Sequence, residues 1–372
     1  MTDSQPDLGQ LLVMLGDAAA RETVPAKLHE HGESAVEPLI TALRDADENI
    51  RYGAAWVIGR IHSSELGAAI ALPAVEPLLD LLQHDDSARV RGQAQSTLLT
   101  LNDQVDRSQL IQPMIAALQD EQESIRSEAA RWLAQFGGPD AVEPLRGILG
   151  NDVSEKVRGR AAYALAYLEP DLASLQAAGE AGIEALMTAA KDTERSVRLR
   201  AIWALGQLQA TSAVELLTSI LEGTSNIPEK RKAAEALGQI GDESAMDSLI
   251  ITLQFDSNEG VRSSAAEALG MLNDRRALNM VIRALHNDAS PAVRASAAKA
   301  LEWMGDPGAV EALIMALSDS SPDVRFRAAE ALRILRDKRA VEPLRALLDD
   351  PQATRHVRGA AEQALEEISR QK

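Results

Sequence analysis

The apolar positions along the chain fall into a helical rhythm that starts again every 31 to 40 residues. A basic residue marks the register: Arg51, Arg91, Arg126, Arg158, Arg198, Lys230, Arg262, Arg294, Arg325 and Arg358. Three residues after each anchor stands alanine, from Ala54 to Ala361. Seven after stands leucine, with Ile58 the exception. Ten after is always apolar, and one before is Val or Ile except at Glu229. Offsets −1, +3, +7 and +10 form one stripe at the helical period, so each unit predicts an amphipathic helix, here called B.

The helix ends agree with this register. Four residues before the anchor stand Asp47, Ser87, Ser154, Asn226, Asn258, Ser290, Ser321 and Thr354, residue types whose side-chain oxygen accepts from a free first-turn N–H. A second helix, A, precedes each B. Its start reads Ala-Val-Glu-Pro-Leu at 35–39, 74–78, 141–145 and 340–344, and proline is tolerated in a first turn, where an early Glu also suits the helix dipole. Residues 8–34 form a degenerate extra pair, with Arg21, Val24 and Leu28 at offsets 0, +3 and +7. The expected organisation is one array over residues 1–372: the degenerate pair at 8–34, then ten regular repeats over 35–372. Where the spacing reaches 40, around Ser63–Leu72 and Glu169–Gly179, a longer connection or added helical turn is expected.

The units Ala309-Val310-Glu311…Asp319…Val324-Arg325…Ala328-Ala329-Glu330-Ala331-Leu332 and Asp256…Val261-Arg262…Ala265-Ala266-Glu267-Ala268-Leu269-Gly270 resemble HEAT repeats. More narrowly they resemble the short HEAT-like units named after phycobilin lyases. The resemblance covers nearly the whole chain. It implies an all-α fold, a right-handed α-α superhelix of about eleven helix pairs, with A helices convex and B helices concave. Stacking follows independently from the pattern, because one pair cannot bury its apolar stripe alone.

Two sets of residues are candidates for function. Six before the anchor lies Asp45, Asp85, Asp120, Asp152, Asp192, Asp256, Asp288 or Asp319; the Lys230 and Arg358 units have Thr224 and Gln352 there. A charge pair in nearly every repeat suits a structural Arg–Asp ladder better than a binding strip. The second set is the face opposite the stripe, offsets +1, +5 and +9, expected to be exposed on the concave side. Aromatics are only 3% of the chain, yet Tyr52, Trp56, Tyr163, Tyr167, Trp203, Trp303 and Phe326 all fall there. Phe136 takes a core offset and Trp132 flanks it. The expected groove combines Tyr52, Trp56, Tyr163, Tyr167 and Trp203 with Arg60, Arg131 and Arg160, and continues to Lys299 and Trp303. Exposed rings mark interfaces; curvature that packs the rings against one another is the competing explanation.

Composition narrows the chemistry. Of 372 residues, 56 are acidic against 38 basic, a formal charge of −18, which argues against an extended nucleic-acid surface. With no cysteine there are no disulfides, thiolate metal sites or cysteine nucleophiles. The N-terminus is polar and acidic, and no stretch reaches the roughly 20 apolar residues of a membrane span, so a soluble cytoplasmic chain is expected. His29-Glu30-His31 is one metal-like cluster, better read as a solvated helix end, and phosphate-loop, Gly-x-Ser-x-Gly and His-Glu-x-x-His motifs are missing. The leading expectation is a non-enzymatic scaffold that holds a helix or loop of another protein and uses no metal or cofactor. The resemblance adds an alternative, a bilin lyase or chromophore chaperone with arginines and rings around a tetrapyrrole. A HEAT-like nucleic-acid enzyme is the third class.

Overall fold

The computed structural model describes residues 7–168 and 176–370, and every regular element among them is a helix. The chain divides into two compact units at Gly182/Ile183. In the first unit, Leu8–Leu15 pairs with Val24–His31, Val36–Ala42 with Glu48–Ile61, and Glu65–His84 with Ala88–Thr100. Ser108–Ala117 then pairs with Glu123–Phe136, and Val142–Asn151 with Glu155–Tyr167. In the second unit the B helices are Arg195–Gln207, Ile227–Ile240, Glu259–Leu272, Pro291–Met304, Pro322–Leu335 and Arg355–Ser369. Five of them pack on the A helices Val214–Gly223, Met246–Phe255, Leu278–Asn287, Val310–Ala316 and Val341–Asp349, and Gln176–Ala189, which carries the division, precedes Arg195–Gln207 in the chain. In chain order the described helices therefore make about eleven A/B pairs.

The buried arc of the B helices is wider than the predicted stripe. Alanine at +3 is 0% exposed in all ten repeats. Offset +4 is also buried in nine, from Ala55 to Ala329, and +6 in all ten, from Val57 to Ala364. Offset +10 is less closed than expected: Phe136, Leu168, Leu208, Leu272 and Leu335 are only half-buried. The reason is the packing. Within a unit each inner B helix meets its own A helix and the B helices on both sides, so about 160° of its surface is covered. Small residues allow the close approach. An ideal Cβ on Gly206, Gly238 or Gly270, all at +8, would lie 2.8, 2.7 or 2.6 Å from the Cα of Ala236, Ala268 or Ala300 on the following B helix. In the first unit two polar residues serve the same contact: Thr97 Oγ1 donates to Ala55 O (2.8 Å) and Gln95 Nε2 to Ile125 O (3.0 Å), both side chains being buried.

Local ends follow the sequence with one difference. Asp47, Ser154, Asn226, Asn258 and Thr354 accept from first-turn N–H groups. Ser87, Ser290 and Ser321 do not. There, as at Asp47, Ser154 and Asn258, the aspartate two residues earlier accepts from the N-cap residue's own N–H, at 2.9, 2.8 and 2.8 Å for the three serines. The Ser63–Leu72 insertion lengthens helix A, which runs Glu65–His84 behind the N-cap Ser64. Most of the other insertion, around Glu169–Gly179, lies outside the described residues. Gly238→Val is expected to push apart the Ile227–Ile240 and Glu259–Leu272 helices and to lower stability by about 2 kcal/mol or more. Urea unfolding followed by circular dichroism measures it, and an unchanged midpoint contradicts the close-contact account.

Candidate functional site

The repeated charges come first. Arg51 Nε and Nη2 donate to Asp85 at 2.6 and 3.1 Å, a forked pair from one repeat to the next, while Nη1 donates to the Asp45 and Ala46 carbonyls of its own loop. Arg91–Asp120, Arg126–Asp152, Arg262–Asp288 and Arg294–Asp319 repeat this with shortest distances of 2.6 to 2.8 Å. Lys230 reaches Asp256 at 2.7 Å. Burial pushes the Asp288 and Asp319 carboxyls up, but hydrogen bonds from Arg262 or Arg294 and from the backbone more than offset it, leaving both below the usual carboxylate range. The same hydrogen bonds raise the pKa of Arg262 and Arg294.

Exceptions to the sequence pattern explain one another. Where Thr224 replaces the acid, Arg198 turns to Glu229 (2.8 Å), the one residue that breaks the apolar −1 position. Where Gln352 replaces it, Arg325 keeps the Asp319 and Ser320 carbonyls of its own loop but in the next loop finds only the Gln352 carbonyl at 3.3 Å, and its Nε is buried without a partner. Arg358 holds the Asp350 carbonyl. Arg158 donates to the Asp152 carbonyl and Asp192 accepts from Glu194 N. Asp45 accepts from Asp47 N.

The aromatic face is less uniform than the sequence predicts. Tyr163, Tyr167 and Trp303 are 37%, 49% and 38% exposed. Tyr52, Trp56, Trp203 and Phe326 are half-buried. Tyr52 is held between two guanidinium groups, Arg21 at 4.8 Å and Arg89 at 4.0 Å, and so ties three successive pairs together. Arg60 lies over Trp56 at 5.5 Å. Tyr163 and Tyr167, one turn apart, stack at 4.5 Å; the Tyr167 hydrogen bond raises the Tyr163 pKa and the Arg160 charge opposes it. Arg131 is exposed and paired with Glu128. Lys299 bonds Glu267 at 2.8 Å and lies 4.5 Å from the Trp303 ring. Trp132 is the buried ring (4%) and Phe136 the half-buried one, with Arg107 at 4.7 Å, the reverse of the expected order, because +6 faces the stack and +10 approaches its edge.

Within the first unit the expected cluster is spread along the array. Tyr52 and Trp56 are separated from Tyr163 and Tyr167 by two B helices that offer Ser96 and Arg131 at +5. At 8–10 Å per packed helix that is on the order of 25–30 Å. Trp203, Lys299 and Trp303 belong to the second unit. The sequence reading missed Met271 (40% exposed) and Ile334 (46%), which share the +9 offset of Trp303; listing the repeats by offset exposes that row. Three open cavities, of about 430, 390 and 190 Å³, are lined by A-helix and loop residues such as Val13 and Pro38, Gly147 and Val153, or Phe255 and Met280. Among the described residues no three His, Asp or Glu side chains converge as a metal-binding group, and no helix is long and apolar enough to cross a membrane.

A HEAT-repeat family model matches residues 6–99, 75–166, 214–289 and 278–366. The chain belongs to the HEAT-repeat family. A PBS lyase HEAT-like repeat is matched at 197–223, the repeat that carries Trp203. No curated protein matches the chain significantly. Among solved structures, an engineered protein aligns with 90% of this chain and 98% of its own length, at 23% identity and TM-score 0.51. The karyopherin Kap121p, bound to the extreme C-terminus of the protein phosphatase Cdc14p, aligns with 97% of this chain at 13% identity and TM-score 0.66. Kap95p, in a complex with RanGDP, aligns with 98% at 14% identity and TM-score 0.53. The chain spans 45% and 61% of those two karyopherins. At these identities the likeness concerns the fold.

Arg262→Ala leaves the largely buried Asp288 carboxylate and two loop carbonyls without their donor, so a loss of about 2–3 kcal/mol is expected, with partner affinity little changed. Conversely, Gln352→Asp offers Arg325 the carboxylate its repeat lacks, and a gain of about 1 kcal/mol is expected. Thermal and urea melts of both variants test the ladder.

Proposed function

We propose that the chain is a non-enzymatic scaffold whose exposed B-helix face holds a helix or loop of a partner protein. The observation that supports this most directly is a contrast within the repeat. Loop charges and core alanines recur from unit to unit, whereas +1, +5 and +9 change from unit to unit and carry the exposed rings Tyr163, Tyr167 and Trp303. A surface needed for stacking is uniform; a surface matched to an irregular partner varies. Rings on that surface bury large areas at small entropic cost, as interface anchors do. The charged groups among them, Arg60, Arg131, Arg160 and Lys299, set orientation more than affinity.

The test is capture from the native organism followed by titration of the identified partner. Trp56→Ala/Trp203→Ala and, at more exposed positions, Tyr163→Ser/Trp303→Ser are expected to weaken binding at least about tenfold. Their melting curves report whether folding is intact. Wild-type affinity in both folded variants removes the assignment of this face.

A further inference from the structure

Three successive B helices of the second unit carry an apolar side chain at the same exposed offset. Met271, Trp303 and Ile334 stand at +9 of Glu259–Leu272, Pro291–Met304 and Pro322–Leu335, and are 40%, 38% and 46% exposed. These helices pack as direct neighbours, so the three side chains form a strip with steps of about 8–10 Å. At the same offset the other repeats place Arg60, Thr100, Gln135, Gln207, Gln239 and Glu367, with Tyr167 the exception. One exposed apolar residue is ordinary; three in register on adjoining helices make a continuous surface.

The charges beside the strip are equal in number but not in partners. Each nearby basic group is engaged: Lys299 with Glu267 and the Trp303 ring, Arg333 with Glu330 at 3.1 Å, Arg327 over Phe326 at 5.6 Å, and Arg336 with Glu367 at 2.7 Å. Glu302, next to Trp303, has neither a hydrogen bond nor an ion pair among the described residues. It occupies +8, where the three preceding repeats have glycine. Burial and then the Glu330 charge push its carboxyl up, with Arg327, Arg333 and Lys299 acting the other way. A half-buried carboxylate without a partner costs free energy that an incoming cation recovers.

We propose that the Met271–Trp303–Ile334 strip docks a basic amphipathic segment of a partner protein, its apolar side chains seated on the strip and a lysine or arginine paired with Glu302. The proposal rests on the B-helix face being the binding surface and adds the chemistry of the partner. An acidic segment would set a second negative charge against Glu302 and Glu330, and a wholly apolar one would cover Glu302 without pairing it.

A labelled amphipathic helix of leucine and lysine, about 14 residues long, serves as the probe, with the leucine/glutamate peptide as its counterpart, in anisotropy titrations near physiological salt. The lysine peptide is expected to bind and the glutamate peptide not to. Ile334→Asp is expected to weaken the lysine peptide at least about tenfold, and Glu302→Gln about three- to tenfold with a shallower salt dependence. Ile334→Asp separates docking from general attraction to an acidic chain, which the added charge would strengthen. Absence of binding, or wild-type affinity in either folded variant, overturns the proposal. Leu72→Ser, at an exposed position of the A helix Glu65–His84, leaves the strip intact and is expected to bind the probe normally. If the strip variants leave the probe unaffected while Trp56→Ala/Trp203→Ala abolishes capture of the native partner, the strip is overturned and the broader assignment of the face stands.

Discussion

A helix pair of this size cannot bury its own apolar surface, so within a unit each inner B helix takes cover from the B helices on either side of it. The other features of the repeat follow from that requirement. Covering both flanks demands close approach, which is why +3 and +4 are alanine in most repeats, why +6 is small in all but the Trp132 repeat, and why glycine stands at +8 where Gly238 meets Ala268. Covering both flanks and the A-facing side also leaves a single open arc per helix. Function has to be read from that arc, because the remainder of the helix surface is committed to stacking.

The Arg–Asp ladder answers a second requirement, set by the loops. Arg51, Arg91, Arg126, Arg262 and Arg294 each tie down carbonyls of their own A–B turn and fork onto the aspartate of the next, and that aspartate also accepts from a backbone N–H of its own turn, as Asp288 does. One side-chain pair thereby sets both the loop conformation and the spacing between repeats. The Arg198–Glu229 pair shows how strongly the contact is required: losing an acid at Thr224 coincides with gaining one at an otherwise apolar position. Tyr52, gripped by Arg21 and Arg89, makes a related stitch from a residue whose offset marks it as surface.

These commitments change the view of the candidate site. Seven rings at exposed offsets read from sequence as one groove. In three dimensions one of them is clamped, three more are half-buried, and three are exposed, Tyr163 and Tyr167 against each other on one helix and Trp303 on a helix of the second unit. Ring count was a poor guide because a ring at an open offset still folds back onto a neighbouring guanidinium when one is within reach. Met271 and Ile334 went unnoticed because each is unremarkable alone and matters only beside Trp303.

The sequence by itself determined the all-helical repeat, its register, the starts of the B helices to within a residue or two and the existence of a charge ladder. All of these are local or follow from a period, so a residue and its offset contain the information. Tertiary structure alone decided which loop an arginine reaches, that a +8 glycine lies against the next helix, that Trp132 is buried and Phe136 is not, and that Glu302 is left without a partner. Those outcomes depend on which side chains from separate repeats compete for the same space and the same charge, and offset along one helix does not encode that competition.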